Sequence, residues 1–256
     1  MTEQALARIA ETMCADKPLS GRVALVTGAG SDIGSAVCVE LASMGATVRA
    51  TDLDRSELTA LGARDDRILT TPADLTSVTE ITALGAGAAD IFVSVAGLAH
   101  IERFEEGDPE RWDLLWKVNL RAPMLLTREL MGSMMRRGWG RLVYISSESA
   151  RAGAGGEAAY AATKAGLLGL AKSIAREVAA SGLTANVVSP GLIETATSDR
   201  LLESRPGMRE AFLRAVPARR LGHPDEVAAA VAYLCSPQSG YVTGQVLSVN
   251  GGIAMG

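Results

Sequence analysis

The stretch Arg22-Val23-Ala24-Leu25-Val26-Thr27-Gly28-Ala29-Gly30-Ser31-Asp32-Ile33-Gly34 decides the fold. Its first six residues are apolar and β-branched enough for a buried strand. They run directly into a glycine turn, and the segment from Ser35 to Met44 shows helical periodicity. Glycines there let the backbone approach a pyrophosphate, and the following helix N-terminus offers it unpaired N–H groups. The order strand, glycine turn, helix therefore predicts a dinucleotide site.

Working outward, a second strand over Ala46 to Thr51 ends at Asp52. A carboxylate there can accept from both hydroxyls of an adenosine ribose and repels a 2′-phosphate, so NAD is expected rather than NADP. The alternative is a surface Asp at a strand end. No Arg or Lys directly follows Asp52 or sits in the glycine turn, and Arg55 is the one nearby residue that weighs against NAD. Further strands are predicted at Ile68 to Thr71, Ile91 to Val95, Arg141 to Ile145, Thr184 to Val188 and Gln245 to Val249, with Ser189-Pro190-Gly191 breaking the sixth. Helical stretches fall at Ser77 to Leu84, Pro109 to Arg137, Tyr160 to about Ala180 and Pro224 to Cys235. Residues at about 194–216 have helical propensity with weak periodicity and are taken as the substrate loop, and 1–18 read as an arm or short amphipathic helix that Pro18 ends. Strand and helix alternate throughout, which predicts one α/β domain over 19–256, a parallel sheet with helices on both faces.

The 256 residues, 48% hydrophobic with 27 glycines, suffice for one sizeable core with many tight turns. Net charge is −4 with both signs interspersed, which argues against a nucleic-acid face. No apolar run has the length of a membrane span, and no signal-peptide core is visible. Cys14, Cys38 and Cys235 are scattered and lack metal-ligand spacing, so they read as free thiols in a reducing cytosol. His100 and His223 are too far apart in sequence to suggest a metal centre.

Downstream, Ser147 closes the strand Arg141 to Ile145, and thirteen residues later Tyr160 precedes Lys164 by four. Positions i and i+4 share a helix face, so phenol and ammonium are expected to be neighbours. The cation is then expected to favour phenolate and draw the tyrosine down from about 10 toward the range of a general acid/base. Ser147 is placed to hydrogen-bond whatever the tyrosine protonates. The alternative is a half-buried helix tyrosine beside a solvated lysine, since Tyr-x-x-x-Lys alone is a short pattern.

Together these residues resemble the short-chain dehydrogenase/reductase family over nearly all of Leu19 to Met255. Thr27, Gly28 and Gly34 match its glycine turn, Ser94-Val95-Ala96-Gly97 is similar to its Asn-Asn-Ala-Gly, and Asn119, Ser147, Tyr160 and Lys164 stand where its catalytic tetrad does. The resemblance implies a three-layer α/β/α, Rossmann-like, doubly wound parallel sheet. It implies cofactor contacts from Gly28, Ser31, Asp32, Ile33, Gly34, Asp52, Leu53, Asp74, Leu75, Ala96 and Gly97. Tyr160, Lys164, Pro190, Gly191, Ile193 and Thr195 complete that set, with no metal. Asp32 departs from the family by replacing the middle glycine of the turn and is expected to point outward. Ser94 replaces an Asn, and the segment from Asp74 to Asp90 is shorter than the family norm.

The family's chemistry implies that Tyr160 moves the proton while hydride passes between substrate and nicotinamide. Lys164 would tune the phenol and bind the ribose, Ser147 would orient the carbonyl oxygen, and Asn119 would hold a water or else satisfy a helix kink. The run Arg220-Leu221-Gly222-His223-Pro224 and the C-terminal glycines look most like β-ketoacyl-acyl-carrier-protein reductases. The stretch Ser149 to Glu157 is instead similar to NAD-dependent hydroxyacyl-CoA dehydrogenases. The favoured reading is an NAD-dependent oxidoreductase of a secondary alcohol or ketone, with a hydroxyacyl thioester or cyclic alcohol as candidate substrate and the carrier-protein reductase as alternative. A non-catalytic NAD-binding regulator is the alternative from another class. A cytoplasmic homotetramer acting on a small molecule, with no nucleic-acid or membrane partner, is expected.

Overall fold

A computed structural model of the protein describes residues 17–203 and 207–255, so the expected N-terminal arm lies outside the described residues up to position 16. Seven parallel strands form one sheet in the order β3-β2-β1-β4-β5-β6-β7. They are β1 (Val23–Thr27), β2 (Thr47–Asp52), β3 (Ile68–Pro72), β4 (Ile91–Ser94), β5 (Gly140–Ile145), β6 (Leu183–Pro190) and β7 (Val246–Val249).

Side chains alternate across this sheet because strand residues point to opposite faces. Ala24, Val26, Ile91, Val93, Val143 and Ile145 enter one core, while Leu25, Phe92, Leu142 and Tyr144 enter the other. Helices α1 (Asp32–Ser43), α2 (Arg55–Gly62) and α10 (Pro224–Cys235) cover the first face. The second is covered by α3 (Val78–Ala86), α5 (Ala122–Arg137) and α7 (Ala158–Val178). The molecule is thus a single three-layer α/β/α domain. Cys38 and Cys235 are buried free thiols, each pushed up to about 12 by desolvation, hence inert.

Three details differ from the sequence reading. The helix α2 carries too short an apolar pattern, Leu58 and Leu61, to be legible by periodicity. Ser189 and Pro190 continue β6 rather than break it. Pro190 lies at the strand's end, where a missing N–H costs little. The long helical stretch is interrupted: α4 (Pro109–Trp116) passes through one π-turn, Lys117–Arg121, before α5 begins. Residues 194–216 include α8 (Ala196–Glu203) and α9 (Met208–Ala215).

The strand order reverses between β1 and β4, and a crevice opens there beyond the C-terminal strand ends. The four-residue α6 (Ser149–Ala152) lies at its rim.

Candidate active site

The cradle begins with Ser31, the N-cap of α1. Its Oγ accepts from the Gly34 N–H at 3.1 Å and donates to the Gly28 carbonyl at 2.7 Å. A Cβ on Gly34 would stand 2.0 Å from the Gly28 carbonyl oxygen, so glycine is what lets the turn close. Asp52 ends β2, and its Oδ2 accepts from Gly30 N–H at 2.9 Å, while Oδ1 accepts from Leu53 N–H at 2.7 Å. These donors hold the carboxylate beside the turn. Turn, helix N-terminus and carboxylate together fit a dinucleotide.

Asp32, the residue out of pattern, is exposed, and its Oδ2 accepts from the Ala196 N–H at 2.9 Å. It therefore ties the first turn of α1 to the first residue of α8. Beyond β3, Asp74 is occupied locally, accepting from Thr76 N–H at 2.7 Å. The Leu75 side chain is buried in the core, whereas Leu53 is exposed.

Beyond β5, a cleft of about 490 Å³ gathers Ser31, Asp32, Ile33, Gly97, Ser147 and Tyr160 with Lys164, Pro190, Gly191, Ile193 and Thr195. Thr195 caps α8, exchanging hydrogen bonds with Ser198. Gly28, Gly34, Asp52, Leu53, Asp74, Leu75, Ala96 and Asn119 do not line this cleft. Asn119 is fully buried in the π-turn. Its amide donates to the Leu98 carbonyl at 2.9 Å and to Thr163 Oγ1 at 3.0 Å, and its Oδ1 accepts from Leu98 N–H at 2.7 Å. The widened turn lets one side chain bridge the loop after β4 to α7.

Tyr160 and Ser147 line the same cleft, but the phenol moves opposite to the sequence expectation. Burial pushes it up to about 12, against a smaller downward pull from Ser147, and the Glu157 charge raises it further. Lys164 is on the expected helix face, yet it is buried, and its Nζ donates to the Ile145 carbonyl at 2.9 Å, 6.0 Å from the Tyr160 ring centre. Desolvation lowers that ammonium to about 8. Periodicity shows that the two residues share a face; it carries no information on which acceptor the lysine finds. Nζ lies 2.8 Å from where a Cβ on Gly97 would stand, so the glycine leaves it room.

Glu148 and Glu157, which also line the cleft, were missed as site residues. Glu157 stands three residues before Tyr160, and that i,i+3 spacing was the available signal. Phe212 of α9, with Ile253 and Ala254, comes from distant parts of the chain and had none.

A family model described as enoyl-(acyl carrier protein) reductase matches residues 28–254. The chain is 43% identical over 244 residues to nodulation protein G of Rhizobium sp. (strain N33), spanning 93% of this chain and 98% of that protein. Identity to the 3-oxoacyl-acyl-carrier-protein reductase FabG of Escherichia coli (strain K12) is 40% over 242 residues, or 92% of this chain and 98% of that one. Among solved structures, gluconate 5-dehydrogenase from Burkholderia cenocepacia J2315, in complex with NADP and tartrate, matches with a TM-score of 0.87. The two are 29% identical, over 93% of this chain and 97% of that one. Likeness of this extent, in sequence and in architecture, means that the chain belongs to the short-chain dehydrogenase/reductase family and is an oxidoreductase of secondary alcohols and ketones.

Proposed function

We propose that the protein is an NAD-dependent secondary-alcohol dehydrogenase of the cytoplasm in which Tyr160 moves the proton, Ser147 orients the reacting oxygen and Lys164 supplies the local positive charge. The observation that carries this reading is the meeting of all three residues in one cleft beside the glycine turn. When bound, the nicotinamide dinucleotide supplies the acceptor or donor of hydride. The phenol, pushed up to about 12, holds its proton at neutral pH and can deliver it to the oxygen of a carbonyl being reduced. In the oxidative direction it must first lose that proton, so alcohol oxidation gains from alkaline pH. Asn119 acts through its bridge from Leu98 to Thr163, on the helix that carries Tyr160 and Lys164.

For NAD speaks Asp52, whose charge at the end of β2 would meet a 2′-phosphate. The gluconate 5-dehydrogenase carries NADP, which favours the other dinucleotide. A second reading, reduction of 3-oxoacyl carrier-protein thioesters, draws on the likeness to FabG.

Two measurements test the proposal. NAD is expected to bind more tightly than NADP in fluorescence titrations, with Asp52→Ala narrowing the gap; equal affinities in the unmutated protein reject the NAD assignment. Tyr160→Phe keeps the ring and its packing, so melting temperature and NAD affinity should persist while turnover falls roughly 10²–10⁴-fold. Near-normal turnover of that variant would exclude Tyr160 as the proton carrier. An unmutated protein that binds NAD but turns over no secondary alcohol would instead be a regulator on this fold.

A further inference from the structure

Glu157 occupies the N-cap position of α7 and lines the cleft beside Tyr160. Its Oε2 accepts from the Ser149 hydroxyl at 2.5 Å, and its Oε1 accepts no hydrogen bond among the described residues. Glu157 directly precedes the first turn of the helix that carries Tyr160, and both line one cleft, so this carboxylate and the phenol look into the same space. That proximity is felt electrostatically, since the Glu157 charge disfavours ionisation of Tyr160. Behind it Glu148 lines the same cleft with 8% exposure. Its Oε1 accepts from Ser248 Oγ at 2.7 Å, and its Oε2 is buried without a partner. Among the described residues lining the cleft, Lys164 is the only basic side chain, against Asp32, Glu148 and Glu157. Its charge is directed to the Ile145 carbonyl.

We propose that Glu157 is a specificity-determining residue that accepts a hydrogen bond from a donor, hydroxyl or ammonium, on the carbon next to the reacting carbinol. The preferred substrates are then vicinal diols or amino alcohols. This rests on the reading of Tyr160 as the proton carrier. With the carbinol oxygen on Tyr160, a donor on the adjacent carbon is directed toward Glu157 in the same cleft. A 2-hydroxy acid would set a carboxylate there, and a 3-hydroxyacyl thioester would bring a carbonyl oxygen toward it. Either would oppose an acceptor to an acceptor and leave Oε1 of the half-buried carboxylate unpaired, which a site built for a donor disfavours.

The test compares kcat/KM with saturating dinucleotide for 2,3-butanediol, 1-amino-2-propanol, 2-hydroxybutanoate and 3-hydroxybutyryl-CoA, in the unmutated enzyme, Glu157→Gln and Glu157→Ala. The diol or the amino alcohol is expected to lead the acid and the thioester by roughly tenfold or more. Which of the two leads identifies the donor. Glu157→Gln, which keeps the shape and an acceptor for Ser149, should shift the ratio toward the hydroxy acid by roughly tenfold. A purely structural role for Glu157 would lower all four values together. Preference of the unmutated enzyme for acid or thioester, or a substrate ratio unchanged in both variants, overturns the proposal. Tyr160→Phe run alongside separates the two failures. Lost turnover there with Glu157-independent selectivity sinks only the specificity assignment, whereas retained turnover removes the reading beneath it.

Discussion

At the residue scale, Lys164 shows how burial redirects an ionisable group. The ammonium sits where water cannot solvate it, with the Ile145 carbonyl as its hydrogen-bond partner at 2.9 Å. Its folded value falls to about 8 from the ordinary 10.5. Between those two values the unfolded chain binds the proton and the folded chain does not, so stability rises with pH across that window. Below about pH 8 the folded protein carries the cost of a buried cation. Lys164→Met, close in length and uncharged, is therefore expected to be more stable than the unmutated protein at pH 7. The advantage should shrink as pH climbs from 8 toward 10.5. Urea denaturation at pH 7 and pH 10 reads this directly, and a pH-independent difference would contradict it. Turnover of the same variant should collapse, separating function from stability at one site.

At the element scale, the π-turn between α4 and α5 is the irregularity with a purpose. One extra residue in the turn points Asn119 inward, where its amide satisfies the N–H and carbonyl of Leu98 and the hydroxyl of Thr163. Three elements are joined by that side chain: the π-turn, the loop after β4 and α7. Asn119→Ala would leave the Leu98 N–H and carbonyl without their side-chain partner, while the Thr163 hydroxyl keeps its bond to the Tyr160 carbonyl, for a loss of roughly 1–3 kcal/mol. Thermal or urea unfolding should show it as a clear drop in stability, and turnover should fall too, because α7 carries Tyr160 and Lys164. A variant as stable as the unmutated protein would mean that water replaces the amide without cost. The Asp32 contact with Ala196 is another bridge between elements, made by a residue that broke the expected glycine pattern.

At the scale of the whole molecule, two cores flank one sheet, and some apolar surface stays uncovered. Leu114 and Trp116 of α4 and Met124 of α5 remain 41%, 44% and 43% exposed, on consecutive helical elements. Single exposed apolar side chains are normal, and several large ones on adjoining elements are surface that a second copy can cover. We propose that such faces pair copies of this chain into a homotetramer. Light scattering at micromolar concentration is expected to return four times the chain mass, and a monomeric mass would count decisively against it.

What the chain discloses by itself is whatever depends on local order. The run Arg22 to Gly34 announces strand, turn and helix because adjacent residues make them, and the alternation of apolar stretches is enough for a doubly wound parallel sheet. Pro224 to Cys235 is legible to the residue, bounded by a helix-starting proline and a buried face of Val227, Val231 and Leu234. Tyr160 and Lys164 can be placed on one helix face by spacing alone. Only the tertiary structure decides what each group meets there. Lys164 turns to Ile145 on β5 rather than to the phenol, Asp32 reaches Ala196 across 164 positions of sequence, and Glu148 finds Ser248 across 100. Ionisation follows desolvation and partners brought together by folding, and those are set by packing between elements, which no periodicity within one element encodes.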